Sequence, residues 1–313
     1  MQKTTSYPKL NIAAQSLLAQ VGNTPLIELR KVTSGLSENV RVFAKAEWFN
    51  PSGSFKDRVA LSIISAGLES GELTPEKRLL DSTSGNMGIA YATFCAALGI
   101  PLTLAMPANA TPERIAILRA LNAELILSEP SGGSSGAMQV VRALAAAHPE
   151  KYFYANQYDN SANWLAHYHG TGAEIYAQTE QRVTHFVAGM GTSGTLMGAG
   201  RYLREANPAI EIIAVQPKES KHDLPGLKHM RSVSLVPGIY DESFPDDFVN
   251  VETDAARGMV RRLARDEGLF VGPSAGAAAL AALRVAQDLE AGTVVVVLPD
   301  AGVKYLSDAA LWR

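Results

Sequence analysis

Five consecutive apolar residues, Val294 to Leu298, constrain this chain most, because a strand with no polar face must be covered on both sides. Strands of that kind belong to parallel sheets, whose crossover connections lay helices over both faces. The rest of the chain keeps the matching rhythm of a short apolar run, a Gly or Pro break, and a helix. Strands are expected at Val40–Ala46, Arg78–Asp81, Leu102–Ala105, Glu124–Leu127, Tyr152–Ala155, His185–Ala188, Glu211–Val215 and Thr293–Leu298. Helices are expected at Asp57–Glu69, Gly88–Leu98, Pro112–Leu121, Ser135–Ala147, Asn163–Gln178, Thr195–Ala206, Asp254–Glu267 and Ala275–Leu289, with a less regular stretch from Lys218 to Phe248. Thr111 before Pro112 reads as a helix opening, a capping hydroxyl followed by proline at the first helical position. The expected fold class is therefore α/β, with two open, mainly parallel twisted sheets flanked by helices. A length of 313 residues, 47% of them hydrophobic, is enough for both. The break is expected near Asn156, giving an N-terminal α/β domain of residues 40–155. Residues 1–39 plus 156–313 would form the second, with 1–39 crossing over.

Charge and cysteine content exclude several classes of function. The 28 basic and 31 acidic residues leave a formal net charge of -3 with no long block of either sign, which argues against nucleic acid and membrane surfaces as partners. No apolar run is long enough to cross a bilayer and the polar start, Met1 to Pro8, lacks a signal core, so a cytoplasmic protein is expected. Cys95, the only cysteine, lies in an apolar helical stretch as a core residue, which excludes an internal disulfide and a cysteine-cluster metal site. The six histidines have no ligand spacing, so no metal is expected.

In open α/β sheets ligands collect where strands end and helices begin. Four such junctions carry chemistry here. Pro51 to Arg58 sets Lys56 at the mouth of a helix, where the positive end of the dipole lowers an ammonium's pKa toward the free amine that attacks aldehydes. Gly189 to Thr195 offers backbone amides and hydroxyls at another helix start, a cup for phosphate, without the Gly-Lys of a P-loop or the glycine spacing of a dinucleotide fingerprint. Thr83 to Gly88 presents amides and hydroxyls suited to a carboxylate, and the side chain of Asn86 can donate to a ring oxygen. Gly272 to Gly276 brings the hydroxyl of Ser274, which can face a ring nitrogen without forcing it to stay protonated. Each stretch alone is also what an ordinary capped turn looks like. Taken together, an amine, a phosphate cup, a carboxylate cup and a hydroxyl for a ring nitrogen describe a site for pyridoxal 5′-phosphate.

These four stretches resemble the signatures of the fold type II pyridoxal-phosphate enzymes, the tryptophan synthase β-like family, and most closely the cysteine synthases (O-acetylserine or O-phosphoserine sulfhydrylases). The resemblance runs from Val21-Gly22-Asn23-Thr24-Pro25-Leu26 to Asp300-Ala301-Gly302-Val303-Lys304-Tyr305-Leu306-Ser307. It implies that Lys56 is the Schiff-base lysine and the base that removes the substrate α-proton. It also implies that Asn86 bonds the cofactor hydroxyl, that Gly191, Thr192, Ser193, Gly194 and Thr195 hold the cofactor phosphate, and that Ser274 faces the pyridine nitrogen. Thr83, Ser84, Gly85, Asn86, Met87 and Gln157 would form the substrate carboxylate site. The implied reaction is a β-replacement that makes L-cysteine: acetate or phosphate is expelled as an aminoacrylate forms, and a sulfur nucleophile adds.

Sulfide, thiosulfate and a thiocarboxylate on a sulfur-carrier protein all stay open as the donor, and a homodimer is implied. The chain departs from the family pattern at Met87, where threonine is usual, at Ser193, where glycine is commoner, and at Ala275, where many relatives have a second serine. The insert Leu224 to Met230 is similar to the B-type and phosphoserine-using branches. There a basic residue reads the substrate phosphate, and Lys228, with Lys221 nearby, takes its place here. Serine/threonine dehydratase and cystathionine β-synthase share the cofactor loops and are the rivals within the family; a phosphometabolite-binding protein without catalysis is the rival outside it.

Overall fold

A computed structural model describes residues 12–83, 85–233 and 235–313. Its strands are β1 (Leu26–Leu29), β2 (Val40–Ala46), β3 (Arg78–Ser82), β4 (Leu102–Pro107), β5 (Glu124–Ser128), β6 (Tyr152–Tyr154), β7 (His185–Gly189), β8 (Glu211–Pro217), β9 (Asp247–Val251) and β10 (Gly292–Leu298). The helices are α1 (Ile12–Leu18), α2 (Lys56–Ser70), α3 (Asn86–Leu98), α4 (Pro112–Ala120), α5 (Gly133–Ala147), α6 (Ser161–Ala166), α7 (Ala173–Gln178), α8 (Gly194–Ala206), α9 (Thr253–Arg262), α10 (Pro273–Gln287) and α11 (Ala309–Trp312). They build the two sheets that the rhythm of the sequence calls for. One has the order β5-β4-β3-β6 and is parallel throughout; the other runs β1-β2-β10-β7-β8-β9 and is parallel except for the β1–β2 pair.

The all-apolar β10 sits inside the six-stranded sheet, and its alternation divides it between two cores. Val294, Val296 and Leu298 pack with the alanine-rich α10 and with Met259 of α9, whereas Val295 and Val297 face Leu196, Met197 and Leu203 of α8. The smaller sheet is covered in the same way, with Leu79 and Leu104 on one face and the adjacent Leu80 and Ala105 on the other. Burying a valine or leucine completely stabilises the fold by roughly 1.5–3 kcal/mol, so these two-sided strands hold the sheets and the loops at their ends in place. Cys95 is free and buried in the helical core, as expected.

Several local expectations need correction. The crossing segment extends past Val40, because β2 pairs with β10 of the large sheet, and β1 adds an antiparallel edge beside it. The irregular stretch after Lys218 gives way to the edge strand β9. The two helices expected at Asn163–Gln178 and Asp254–Glu267 each contain a wider π turn, at His167–Gly172 and Leu263–Glu267. Thr111 does take the N-cap position of α4 ahead of Pro112, but its hydroxyl makes no cap bond and is buried without a partner. Among the described residues no helix is long and apolar enough to cross a membrane, and no group of three or more His, Cys, Asp or Glu side chains is placed to hold a metal ion.

Candidate active site

The loops at the strand ends meet at a cavity of about 160 Å³, lined by Lys56, the Thr83 loop, Gln157, the Gly191 loop, Lys228 and Ser274. Lys56 is the first residue of α2. Burial pushes its amine down to about 8, against an opposing pull from Asp81. The direction matches the expectation, and the largest cause is removal from water. Asp81, buried in β3 just ahead of the carboxylate loop, is itself pushed up to about 7 by burial, although Ser82 N (2.8 Å), Tyr91 OH (3.0 Å) and Gln157 N (3.3 Å) all donate to it.

The carboxylate loop is shaped by its own threonine. Thr83 Oγ1 accepts from Gly85 N (3.1 Å) and Gly88 N (2.9 Å), which closes the turn into α3 and aims the loop at the cavity. Gln157 is buried, and its Nε2 donates to Ser82 O (2.8 Å), so β3 and the segment after β6 are tied behind the loop. Met87 lines the cavity but is buried among the apolar side chains of the small-sheet core, and it supplies no hydroxyl. Asn86 also faces the cavity; its Nδ2 donates to Asp300 Oδ2 (2.7 Å) and its Oδ1 accepts from Lys304 Nζ (2.9 Å). Ser84 lies outside the described residues.

The anion cup opens α8. A Cβ on Gly191 would overlap Gly226 O, and one on Gly194 would overlap Asn163 Oδ1, so both positions need the close approach that only glycine permits. Between them Ser193 takes a left-handed conformation, φ 68°, which a non-glycine residue enters at a cost. The amides of Thr192 and Ser193 have no acceptor among the described residues, and they stand at the N-terminus of a thirteen-residue helix. Behind the cup, Thr195 Oγ1 is 3.2 Å from His167 Nε2, and Thr171 Oγ1 is 2.9 Å from His167 Nδ1. Burial holds this imidazole well below its usual range, hence neutral, and its ring lies 5.8 Å from that of Phe55, the neighbour of Lys56. Ser274, in the first turn of α10, lines the far wall.

The structure thus brings every described candidate residue to one cavity; only Lys221 stays apart, exposed on the surface. Asp81, His167, Asn163, Asp300 and Lys304 join the site without a role that the sequence assigns them, although Asp300 and Lys304 fall in the closing stretch of the resemblance. An acid at the end of an otherwise apolar strand was the available signal for Asp81 and Asp300. The donor set fits pyridoxal 5′-phosphate: unclaimed amides for a dianion, a buried amine for an aldehyde, and polar side chains on the walls between them.

The chain belongs to the pyridoxal-phosphate dependent enzymes, whose family model matches residues 17–300. Within that family it is similar to a cysteine synthase of Aquifex aeolicus (strain VF5), 48% identical over 302 residues, 95% of this chain and 92% of the relative. It is also 43% identical to a cysteine synthase B of Pseudomonas aeruginosa, over 92% of this chain and 94% of the relative. The crystal structure of a cysteine synthase from Entamoeba histolytica superposes with a TM-score of 0.90 at 36% identity, covering 100% of this chain and 94% of that one.

Proposed function

We propose that this protein is a pyridoxal-phosphate-dependent cysteine synthase, which replaces the β-substituent of O-acetylserine or O-phosphoserine with sulfur to make L-cysteine. The observation that carries this reading is the convergence of Lys56, the Thr83 loop and the Gly191 cup on one cavity, in a chain with cysteine synthase relatives along nearly its whole length. When bound, pyridoxal phosphate supplies the electron sink that lets the α-proton and the β-substituent leave.

The chain's own residues do the rest. The amides and hydroxyls of Gly191 to Thr195 hold the phosphate, Ser274 meets the ring nitrogen and Asn86 the ring oxygen. Thr83, Ser84, Gly85, Asn86, Met87 and Gln157 form the site that orients the substrate carboxylate; Met87 contributes backbone and apolar wall only. Lys56 binds the aldehyde carbon and moves the α-proton. With a pKa of about 8, roughly a tenth of its amine is already free at pH 7, far more than for an exposed lysine.

Lys228 bears on the leaving group. It lines the cavity with its amine 4.4 Å from the ring centre of Tyr158, burial lowers its pKa, and no carboxylate pairs with it among the described residues. Its backbone N donates to Met190 O (2.8 Å), which fixes the insert over the cup. A desolvated cation beside the substrate site suits a phosphate, and this favours O-phosphoserine as a donor. The reading includes a cytoplasmic homodimer, with a sulfur-carrier protein as one possible source of sulfur. It divides the chain near Asn156, with the N-terminal crossing segment extended to Ala46.

The test is direct. Purified protein should be yellow, and adding O-acetylserine or O-phosphoserine should change its spectrum. Sulfide, thiosulfate or a thiocarboxylate should then release cysteine, and Lys56→Ala should abolish turnover and the wild-type absorption band of the lysine-linked cofactor. A colourless protein that pyridoxal phosphate cannot reconstitute would overturn the proposal.

A further inference from the structure

We propose that Lys304 and Asp300 clamp the side-chain amide of Asn86 in one orientation, so that it presents an N–H to the cofactor; the inference rests on the pyridoxal-phosphate reading above. Lys304 comes from the helical turn Gly302–Tyr305 and is 4% exposed. Its Nζ donates to Asn86 Oδ1 (2.9 Å) and to Gly53 O (3.2 Å), in the loop that leads to Lys56. On the other side Asn86 Nδ2 donates to Asp300 Oδ2 (2.7 Å), an oxygen that also accepts from Tyr305 OH (2.7 Å). These partners leave the amide no choice. An ammonium has only donors and a carboxylate only acceptors, so a flipped amide would set N–H against N–H and oxygen against oxygen.

With its oxygen turned toward Lys304 and one N–H given to Asp300, Asn86 keeps the second N–H of Nδ2 to offer the cavity. That hydrogen calls for an acceptor, and it favours a ring oxygen in its anionic form over a ring hydroxyl. The same ammonium joins Gly53 to Asn86, so one distant side chain sets the spacing between the amine loop and the carboxylate loop. Lys304 is a positioning residue, acting through Asn86.

The experiment uses pyridoxal 5′-phosphate as the probe, titrated into apoenzyme and followed by the visible spectrum of the bound cofactor. Lys304→Met keeps the aliphatic stem and removes the donors, whereas Lys304→Arg keeps them. Lys304→Met is expected to shift the spectrum toward the short-wavelength band of the un-ionised ring hydroxyl and to weaken cofactor binding roughly tenfold. Lys304→Arg is expected to keep the wild-type band ratio and an affinity within about twofold. If Lys304→Met does not fold, Lys304→Gln decides, because an amide there dictates neither orientation of Asn86 and should give the same spectral shift. A folded Lys304→Met or Lys304→Gln protein with wild-type bands and affinity overturns the clamp and leaves the cofactor reading standing. A wild-type protein that takes up no pyridoxal phosphate refutes that reading and the clamp together.

Discussion

Two residues beyond Lys56, Arg58 should be among the least replaceable residues outside the cavity. Its guanidinium donates to Glu47 through Nε (2.8 Å) and Nη2 (2.9 Å), and to Glu174 through Nη1 (2.6 Å) and Nη2 (2.7 Å). Lys45 completes the cluster, with its Nζ 2.6 Å from Glu174 Oε2. Lys45 and Glu47 are 0% exposed and Arg58 6%, so the charges compensate one another with almost no help from water. Among the described residues, truncating Arg58 leaves Glu47 with only the neutral donors Thr24 and Asn50, a buried carboxylate without a cation in contact. Breaking a buried pair in this way costs about 3–5 kcal/mol.

Arg58→Ala is the perturbation, read by urea unfolding of the cofactor-free protein. With a slope near the upper end of the usual urea range, about 3 kcal/mol per molar, the midpoint should fall by roughly 1–1.7 M. Because the cluster anchors α2 to α7, the same variant should also hold pyridoxal phosphate less tightly. A midpoint loss under about 0.3 M, with the slope unchanged, would mean that water replaces the arginine, and would refute the account of a closed charge cluster.

Other expectations follow from the same geometry. Burial alone would raise the Glu174 carboxyl, but Arg58 and Lys45 outweigh it and hold the pKa at about 2. A depressed carboxyl contributes stability that is full above its unfolded pKa of about 4.5 and is lost as pH falls toward 2, so Glu174→Gln should flatten the acid limb of the stability profile by roughly 3 kcal/mol. Capture of pyridoxal phosphate by the apoenzyme needs the neutral Lys56 amine; its rate should rise with pH, pass half its maximum near 8 and level off about one pH unit higher, whereas a rise continuing past pH 10 would place Lys56 in water. Ser193→Gly relieves a left-handed serine and should raise stability by about 1 kcal/mol with turnover retained, as a thermal melt and a kinetic assay would show. Lys228→Ala should lower kcat/KM for O-phosphoserine by about tenfold to a hundredfold and hardly change it for O-acetylserine; equal losses on both would remove Lys228 from phosphate recognition.

What could be read from the sequence divides along a physical line. Val294 to Leu298 announced a strand buried on both faces because its composition leaves no other solution, and the two cores that share it confirm that logic. Strands β1 and β9 carried no comparable signal. The first is four residues long, and the second mixes Asp247 and Asn250 with its apolar positions at an edge of the sheet, where pairing with one neighbour suffices. The π turn at His167–Gly172 has no apolar pattern of its own to mark it, and it lies where α8 packs so closely that a Cβ on Gly172 would meet Ala199 and Tyr202.

The site shows the same division at finer scale. A phosphate cup or a carboxylate loop is made of backbone amides at a helix start, and local Gly, Ser and Thr residues encode it, which is why Gly191 to Thr195 and Thr83 to Asn86 could be found by inspection. The groups that aim those loops come from far along the chain. Thr195 is met by a histidine 28 positions away and Asn86 by a lysine 218 positions away, and no local pattern records either pairing. Lys56 illustrates the cost of reasoning locally: the helix dipole supplied the right direction for its pKa, but the larger cause, burial, arises only once both sheets close over it. Asp81 and Asp300 suggest a better rule. Each sits at the carboxyl end of an apolar strand, one in each sheet, where a buried charge persists only if the cleft beyond gives it donors. Asp81 receives Tyr91 and Gln157, Asp300 receives Asn86 and Tyr305, and so each acid, from behind, holds residues that line the same cavity.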